Sequence, residues 1–124
     1  MLKYVLGLCL FVCANSFAHQ MTPAYPTLKP GPIDKIYQTS VEITNLRQDV
    51  EYFEIGVFDK TWKPVTFVTP SQILRIPFLN KKTINIYVTA KDAHRITYIC
   101  SVSKTLKQAK SASIVRSRIC SKVK

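Results

Sequence analysis

The chain has 124 residues and a formal net charge of +11. This length is typical of a single domain with a modest hydrophobic core. Only three glycines are present, so a glycine-rich phosphate-binding loop is excluded. Two histidines and seven scattered acidic residues select no nucleophile–base–acid triad, and we therefore expect a protein that is not an enzyme.

The first 18 residues have the three-part layout of a secretory signal peptide. Lys3 supplies the positive charge, Tyr4–Val12 is apolar, and the small residues Ser16 and Ala18 occupy the positions that signal peptidase reads. The apolar run is about half of the roughly 20 residues that a membrane-spanning helix requires. We predict cleavage after Ala18 and a periplasmic or extracellular location; a retained N-terminal anchor is the alternative.

The cysteines indicate one disulfide in the exported chain. Cys9 and Cys13 leave with the predicted signal peptide, whereas Cys100 and Cys120 remain. In an oxidising compartment such a pair is expected to form a disulfide. The alternative is two free thiols with a redox or metal role, but the chain has no CxxC motif and no cluster of Cys and His at ligand spacing.

Short segments of alternating apolar and polar residues predict an all-β body. The predicted strands are Val41–Thr44, Tyr52–Phe58, Val65–Val68, Ile73–Ile76, Thr83–Thr89 and Ile96–Val102. In the second of these, Phe53, Ile55 and Val57 form the predicted core side. Four prolines between His19 and Pro32 allow at most an irregular edge strand there. About seven strands with regular turn signals favour a β-sandwich over residues 19–103, with no helix before residue 103.

Residues 104–124 form a basic C-terminal extension without any acidic residue. Its charged residues are Lys104, Lys107, Lys110, Arg116, Arg118, Lys122 and Lys124. Two local structures fit the sequence: a short basic helix over Lys104–Ala112, and a final strand over Ser113–Cys120 that would pair beside residues 96–102 and bring the two cysteines together.

Loss of Lys3 with the signal peptide leaves 17 basic and 7 acidic residues, a net charge of +10. A field of one sign attracts anionic surfaces and speeds their encounter. We therefore predict that the basic extension engages a protein partner or an anionic envelope surface. A merely solubilising tail is the alternative, and nucleic acid fits the charge but not the compartment.

The order of the predicted strands and of the prolines between them is similar to that of a known protein family. A strand that ends in Asn45 is followed by Tyr52–Asp59, Thr69-Pro70, Ile73–Pro77, Lys81-Lys82 and Ile84–Val88. This order resembles the N-terminal immunoglobulin-like domain of periplasmic pilus-assembly chaperones, over roughly Pro23 to Lys104. The resemblance implies an immunoglobulin-like β-sandwich of about seven strands and a protein partner.

The chain also departs from those chaperones. They have a second domain, for which this chain has no room, and they hold the end of the client chain with a pair of basic residues. The first strand here has no Arg or Lys before Lys29, and only Lys104 lies about where the second basic residue would be. Chaperone activity is therefore not implied.

A second resemblance extends from the residues around His19 through YFEIGVFD to the RSRICSK segment. This pattern is similar to small exported proteins encoded by marine bacteriophages. This resemblance implies an alternative role as a phage-encoded envelope or virion accessory protein. It implies no particular activity.

His19 would be the first residue after cleavage, and an N-terminal histidine can chelate copper through its α-amine and ring nitrogen. A second histidine often completes such a site, and the only other one in the chain is His94. Copper binding at His19 and His94 is thus the alternative to the binding-module hypothesis; an envelope-active enzyme is the third. No third ligand element is visible in the sequence.

Overall fold

The computed structural model describes residues 19–104 and 117–124. The elements are β1 (Gln20–Thr22), β2 (Lys29–Pro30), β3 (Ile36–Thr44), β4 (Tyr52–Phe58), β5 (Ile73–Arg75), β6 (Lys81–Thr89), α1 (Ala90–Ala93), β7 (Tyr98–Lys104) and β8 (Arg118–Lys122). In the first sheet, β1 and β2 pair with one edge of β3 and β6 pairs with the other; the second sheet has the order β5-β4-β7-β8. The predicted all-β sandwich is confirmed.

The core lies between the two sheets and is built from alternate residues of each strand. On β4, Phe53, Ile55 and Val57 are buried, as the alternation predicted. The other fully buried apolar residues come from β3, the residue after β5, β6 and β7 and include Val41, Ile43, Ile76, Ile86, Val88 and Ile99. Each such side chain contributes about 1.5–3 kcal/mol by leaving water, so this layer holds the sheets together.

Two sequence expectations differ from the structure. The segment predicted as the strand Val65–Val68 is not a regular strand. It is flanked by two isolated bridges, one between the preceding Pro64 and Phe58 and one between Val68 and Tyr87. Prolines at both flanks limit further ladder bonds there, because proline has no N–H to donate. The single turn α1 is a helix before residue 103 that the sequence pattern did not predict. Within the described residues, no helix has the length and apolar character of a membrane span.

The segment between β1 and β2 crosses from the first sheet to the second. The N–H of Lys122 donates to the carbonyl of Ala24 and that of Lys124 to the carbonyl of Pro26, both at 3.0 Å. The Ser121 hydroxyl donates to the carbonyl of Pro23 at 2.8 Å. The N-terminal segment thus covers the outer edge of β8, which would otherwise be open to pairing with another chain.

Strand register defines two ends of the sandwich. Gln20 pairs with Thr44, which pairs with Lys81, so the chain after His19 and the turns before β4 and β6 share one end. We call this the upper end; it also carries the C-terminus of β7 and the start of β8. The lower end carries the turn after β4, α1 and residues 122–124.

Asn45 ties the upper end together and is fully buried. Its side-chain amide donates to the carbonyls of Val50, at 2.7 Å, and Ile76, at 2.8 Å. Its side-chain oxygen accepts the N–H of Arg47 at 2.8 Å. One side chain therefore satisfies three backbone groups of two different loops.

His19 is another buried polar residue of the upper end, with 1% of its surface exposed. Its Nε2 lies 3.2 Å from the Ser101 carbonyl and 2.7 Å from the Ser101 hydroxyl, and its Nδ1 lies 2.8 Å from the Ser117 hydroxyl. Because a carbonyl can only accept, we assign the proton to Nε2, and Nδ1 accepts from Ser117. Burial lowers the pKa of His19; the hydrogen bond to the Ser101 carbonyl opposes this, and the charge of Arg47 adds to it.

The Cys100–Cys120 disulfide joins directly opposed residues of β7 and β8 on the outer face of the second sheet. This confirms the predicted bridge and the predicted pairing of a final strand beside β7. Only residues 117–120 of the predicted strand Ser113–Cys120 lie in the described part of the chain, and β8 extends beyond them to Lys122.

Replacing Asn45 with Ala should lower the free energy of unfolding by about 2–4 kcal/mol, because two buried carbonyls and one buried N–H lose their partner. Urea unfolding measures the change. Asn80→Ala is the matched control, since the Asn80 side chain is exposed and makes one bond of 3.2 Å. Equal losses in the two variants would contradict this role for Asn45.

Acidification should destabilise the protein through His19. The folded-state pKa of His19 is lowered relative to the ordinary value of about 6.5. The stability it contributes is therefore complete above about pH 6.5 and is lost as the pH falls through the folded-state pKa. The urea midpoint, measured from about pH 7.5 to about pH 5, should fall in the wild type and in the control His94→Gln. In His19→Gln this fall should be reduced; an undiminished fall would contradict the assignment.

Removing the disulfide through paired Cys100→Ser and Cys120→Ser substitutions should cost about 3 kcal/mol of stability, because the bridge closes a loop with a sequence separation of 20. Thermal and urea unfolding measure the loss. Reductant should destabilise the wild type and leave the paired variant unchanged. Insensitivity of the wild type to reductant would contradict a stabilising bridge.

Candidate interaction surfaces

Ion pairs within the fold neutralise most of the acidic residues. The pairs are Arg47–Asp49, Arg75–Glu51, Lys81–Glu42, Arg95–Asp92 and Lys104–Glu54. The other two carboxylates, Asp34 and Asp59, accept N–H groups of neighbouring residues. The basic residues that make no ion pair with a described carboxylate are Lys29, Lys35, Lys60, Lys63, Lys82, Lys91, Arg118, Lys122 and Lys124. The surface therefore carries most of the excess positive charge.

Four basic residues of the predicted extension lie in the described part of the chain, and they are distributed over β7, β8 and the lower end. Lys104 ends β7 at the upper end and is paired with Glu54. Arg118 and Lys122 lie on β8 with exposed side chains, and Lys124 follows at the lower end. Lys107, Lys110 and Arg116 lie outside the described residues, as does the predicted helix Lys104–Ala112 except for its first residue, which belongs to β7.

Arg118 crosses the outer face of the second sheet and reaches an aromatic cluster. Its guanidinium carbon lies 5.1 Å from the ring centre of Phe58 and 4.8 Å from that of Trp62. One guanidinium nitrogen lies 3.8 Å from the sulfur of Cys100. Trp62 in turn stacks on Tyr98, with ring centres 4.0 Å apart and planes 1° from parallel. Cation–π attraction holds the guanidinium in this place.

Gly56 permits this arrangement. It lies on β4 directly opposite Cys100, two residues before Phe58. A Cβ at this position would lie 2.8 Å from the Phe58 ring, closer than real Cβ atoms approach. Glycine therefore lets the ring lie back over the strand, where it meets Arg118.

The turn after β4 positions Trp62. The Asp59 carboxylate accepts the Thr61 hydroxyl at 2.7 Å and the N–H groups of Thr61 and Lys63 at 2.8 and 3.0 Å. The Thr61 hydroxyl, followed by the Lys63 N–H, lowers the pKa of Asp59. Trp62 has a φ of 66°, a left-handed conformation that bulky residues rarely adopt. The turn thus holds the ring against Tyr98 while leaving 47% of Trp62 exposed.

A mainly apolar groove of about 310 Å³, whose lining also includes Gln72 and the Lys104-paired Glu54, runs beside this cluster. Gly56 forms part of its lining, together with Phe58, Phe67, Cys100 and Val102. Phe58 and Cys100 also contact the guanidinium of Arg118. A cation and an apolar depression therefore lie side by side on the outer face of the second sheet.

The two histidines of the predicted copper site are not brought together. His19 is buried at the upper end with both ring nitrogens hydrogen-bonded, whereas His94 is exposed after α1 at the lower end. The nine residues of β6 lie between these ends, and they span about 25–30 Å. Among the described residues no group of three or more His, Cys, Asp or Glu is placed to hold a metal ion. Copper binding stays a prediction.

Comparison with known proteins identifies the fold of this chain but does not assign it to a family. No protein-family model and no curated protein sequence matches the chain. Among solved structures, the chain is similar to the ASH (PapD-like) domain 7 of human CEP192, with a TM-score of 0.52 and 8% identity over 85% of this chain and 81% of that chain. At this identity the likeness concerns the fold alone. The chain has a PapD-like, immunoglobulin-like β-sandwich fold.

Proposed function

We propose that this protein is an exported, non-catalytic binding module that holds an acidic segment of a partner protein against the outer face of β4, β7 and β8. One observation carries the proposal: the Arg118 guanidinium is held over Phe58 and Trp62 and makes no ion pair with any described carboxylate. The predicted signal peptide and the disulfide support export, since such bridges persist in oxidising compartments.

The chemistry of Arg118 favours a carboxylate ligand. A guanidinium presents a planar fork of donors that matches a carboxylate with two parallel hydrogen bonds. Contact with the Phe58 and Trp62 rings restricts the side chain before a ligand arrives. Less conformational entropy is then lost on binding, which increases affinity.

The neighbouring groove indicates a protein rather than a polyanion. Its lining includes the apolar side chains of Phe58, Phe67 and Val102. A segment with a carboxylate next to an apolar side chain would satisfy the cation and the groove together. Lys60, Lys63 and Lys122, which make no ion pair with a described carboxylate, add charge that draws an acidic partner to this face.

We expect Arg118→Gln to weaken binding of a synthetic peptide that alternates Asp and Leu by about tenfold or more, because a charge-assisted bidentate contact is lost. Fluorescence anisotropy of the labelled peptide measures the affinity. Arg118→Lys should bind with intermediate affinity, since it keeps the charge and loses the fork. Raising the salt from about 0.02 M to about 0.3 M should weaken wild-type binding.

Lys29→Gln is the matched control, since it removes an equal charge from a residue of the first sheet that makes no ion pair with a described carboxylate. A peptide that alternates Asn and Leu tests the requirement for carboxylates. The proposal fails if Lys29→Gln weakens binding as much as Arg118→Gln, or if the wild type binds the Asn and Asp peptides equally.

A further inference from the structure

The turn between β5 and β6 presents two apolar side chains to solvent at the upper end. Phe78 is 38% exposed and Leu79 is 66% exposed. Leu79 has a φ of 63°, in the left-handed region that residues other than glycine and asparagine seldom adopt. The N–H of Asn80 donates to the carbonyl of Pro77 at 2.9 Å, which closes the turn.

The framework holds this turn in place. The N–H of Leu79 donates to the carbonyl of Asn45 at 2.8 Å, and the N–H of Asn45 donates to the carbonyl of Asn80 at 2.9 Å. The buried Asn45 side chain also donates to the carbonyl of Ile76, just before the turn. The turn is therefore bonded on both sides, and the exposure of Phe78 and Leu79 is a property of the folded framework.

Cations follow the apolar pair directly. Lys81 and Lys82 are both exposed at the start of β6. Lys82 makes no ion pair with a described carboxylate, and the contact of Lys81 with Glu42 is long, at 4.0 Å. Apolar side chains flanked by lysines are the combination that binds an anionic bilayer, with the side chains in the interface and the cations at the phosphates.

The predicted signal peptide joins the sandwich at this same end. Gln20 lies beside Thr44, and Thr44 lies beside Lys81, so two strand spacings, about 10 Å, separate the start of β1 from the start of β6. His19 and the predicted leader directly precede Gln20. Before cleavage, the leader is therefore joined to the same end of the sandwich that carries this turn.

We propose that the turn 77–80 is a membrane-docking tip, with Phe78 and Leu79 in the interface of an anionic bilayer and Lys81 and Lys82 at its phosphates. The site differs from the Arg118 surface, which lies on the outer face of the second sheet. Docking by the tip leaves that face accessible, so both contacts fit one molecule.

Depth-dependent quenching tests the tip with the exported protein and mixed phosphatidylcholine–phosphatidylglycerol vesicles. The chain has one tryptophan, Trp62, in the turn after β4 at the lower end. In Phe78→Trp, vesicles should shift the emission to the blue, and brominated lipids should quench the new indole. The wild type should show neither effect. Quenching of Trp62 in the wild type, or no quenching in Phe78→Trp, would overturn the proposed orientation.

Sedimentation with the same vesicles tests the residues. Paired Phe78→Ser and Leu79→Ser substitutions should weaken vesicle binding about tenfold, and paired Lys81→Gln and Lys82→Gln substitutions should remove the preference for anionic over neutral vesicles. Val68→Ser with Ile73→Ser is the matched control, since these side chains are 66% and 53% exposed outside the tip. An equal loss in this control would overturn the proposal.

The two proposals fail separately. Arg118→Gln should leave vesicle binding unchanged, and the Phe78→Ser, Leu79→Ser variant should leave binding of the acidic peptide unchanged. If the Phe78 and Leu79 substitutions weaken peptide binding and spare vesicle binding, the tip is a protein contact and membrane docking is wrong.

Discussion

Pairing of β8 with β7 is the interaction on which the rest of this sandwich depends. It places Cys120 opposite Cys100, sets Arg118 on the outer face, and brings Ser117 to the ring of His19. The free edge of β8 then accepts the segment after β1, so the N-terminal and C-terminal parts of the chain close the sandwich against each other. A short strand with no long apolar run therefore connects the second sheet to the N-terminal segment that leads out of the first sheet.

The upper end is held by buried hydrogen bonds rather than by apolar packing alone. Asn45 and His19 each form hydrogen bonds with groups that are distant in sequence. Every buried side-chain nitrogen and oxygen of the described residues has a hydrogen-bond partner. Inside a protein such bonds are costly to break, because the freed groups are no longer solvated. The Asn45 bonds to Ile76, Leu79 and Asn80 hold the turn in which Phe78 and Leu79 are exposed.

The two proposed surfaces use the excess positive charge of the protein in different ways. On the outer face, aromatic rings restrict one arginine and an apolar groove adds selectivity for a protein segment. At the upper end, lysines flank an apolar tip and require no defined ligand geometry, which suits a fluid lipid interface. Because one surface is a sheet face and the other is a loop at the end of the strands, they are separated by the architecture itself.

The sequence by itself determined the all-β class, the inward side of β4 and the pairing of the two cysteines, because alternation and the cysteine count are local or countable properties. It also located the basic residues, but not their roles: Lys104 is neutralised by Glu54, whereas Arg118 is held on aromatic rings contributed by β4 and the turn after it. The burial of His19 and its separation from His94 were likewise invisible, since both follow from strand register between distant segments. Only the tertiary structure decides which side chains meet across the sheets, because those contacts depend on register and close approach, as Gly56 beneath Phe58 shows.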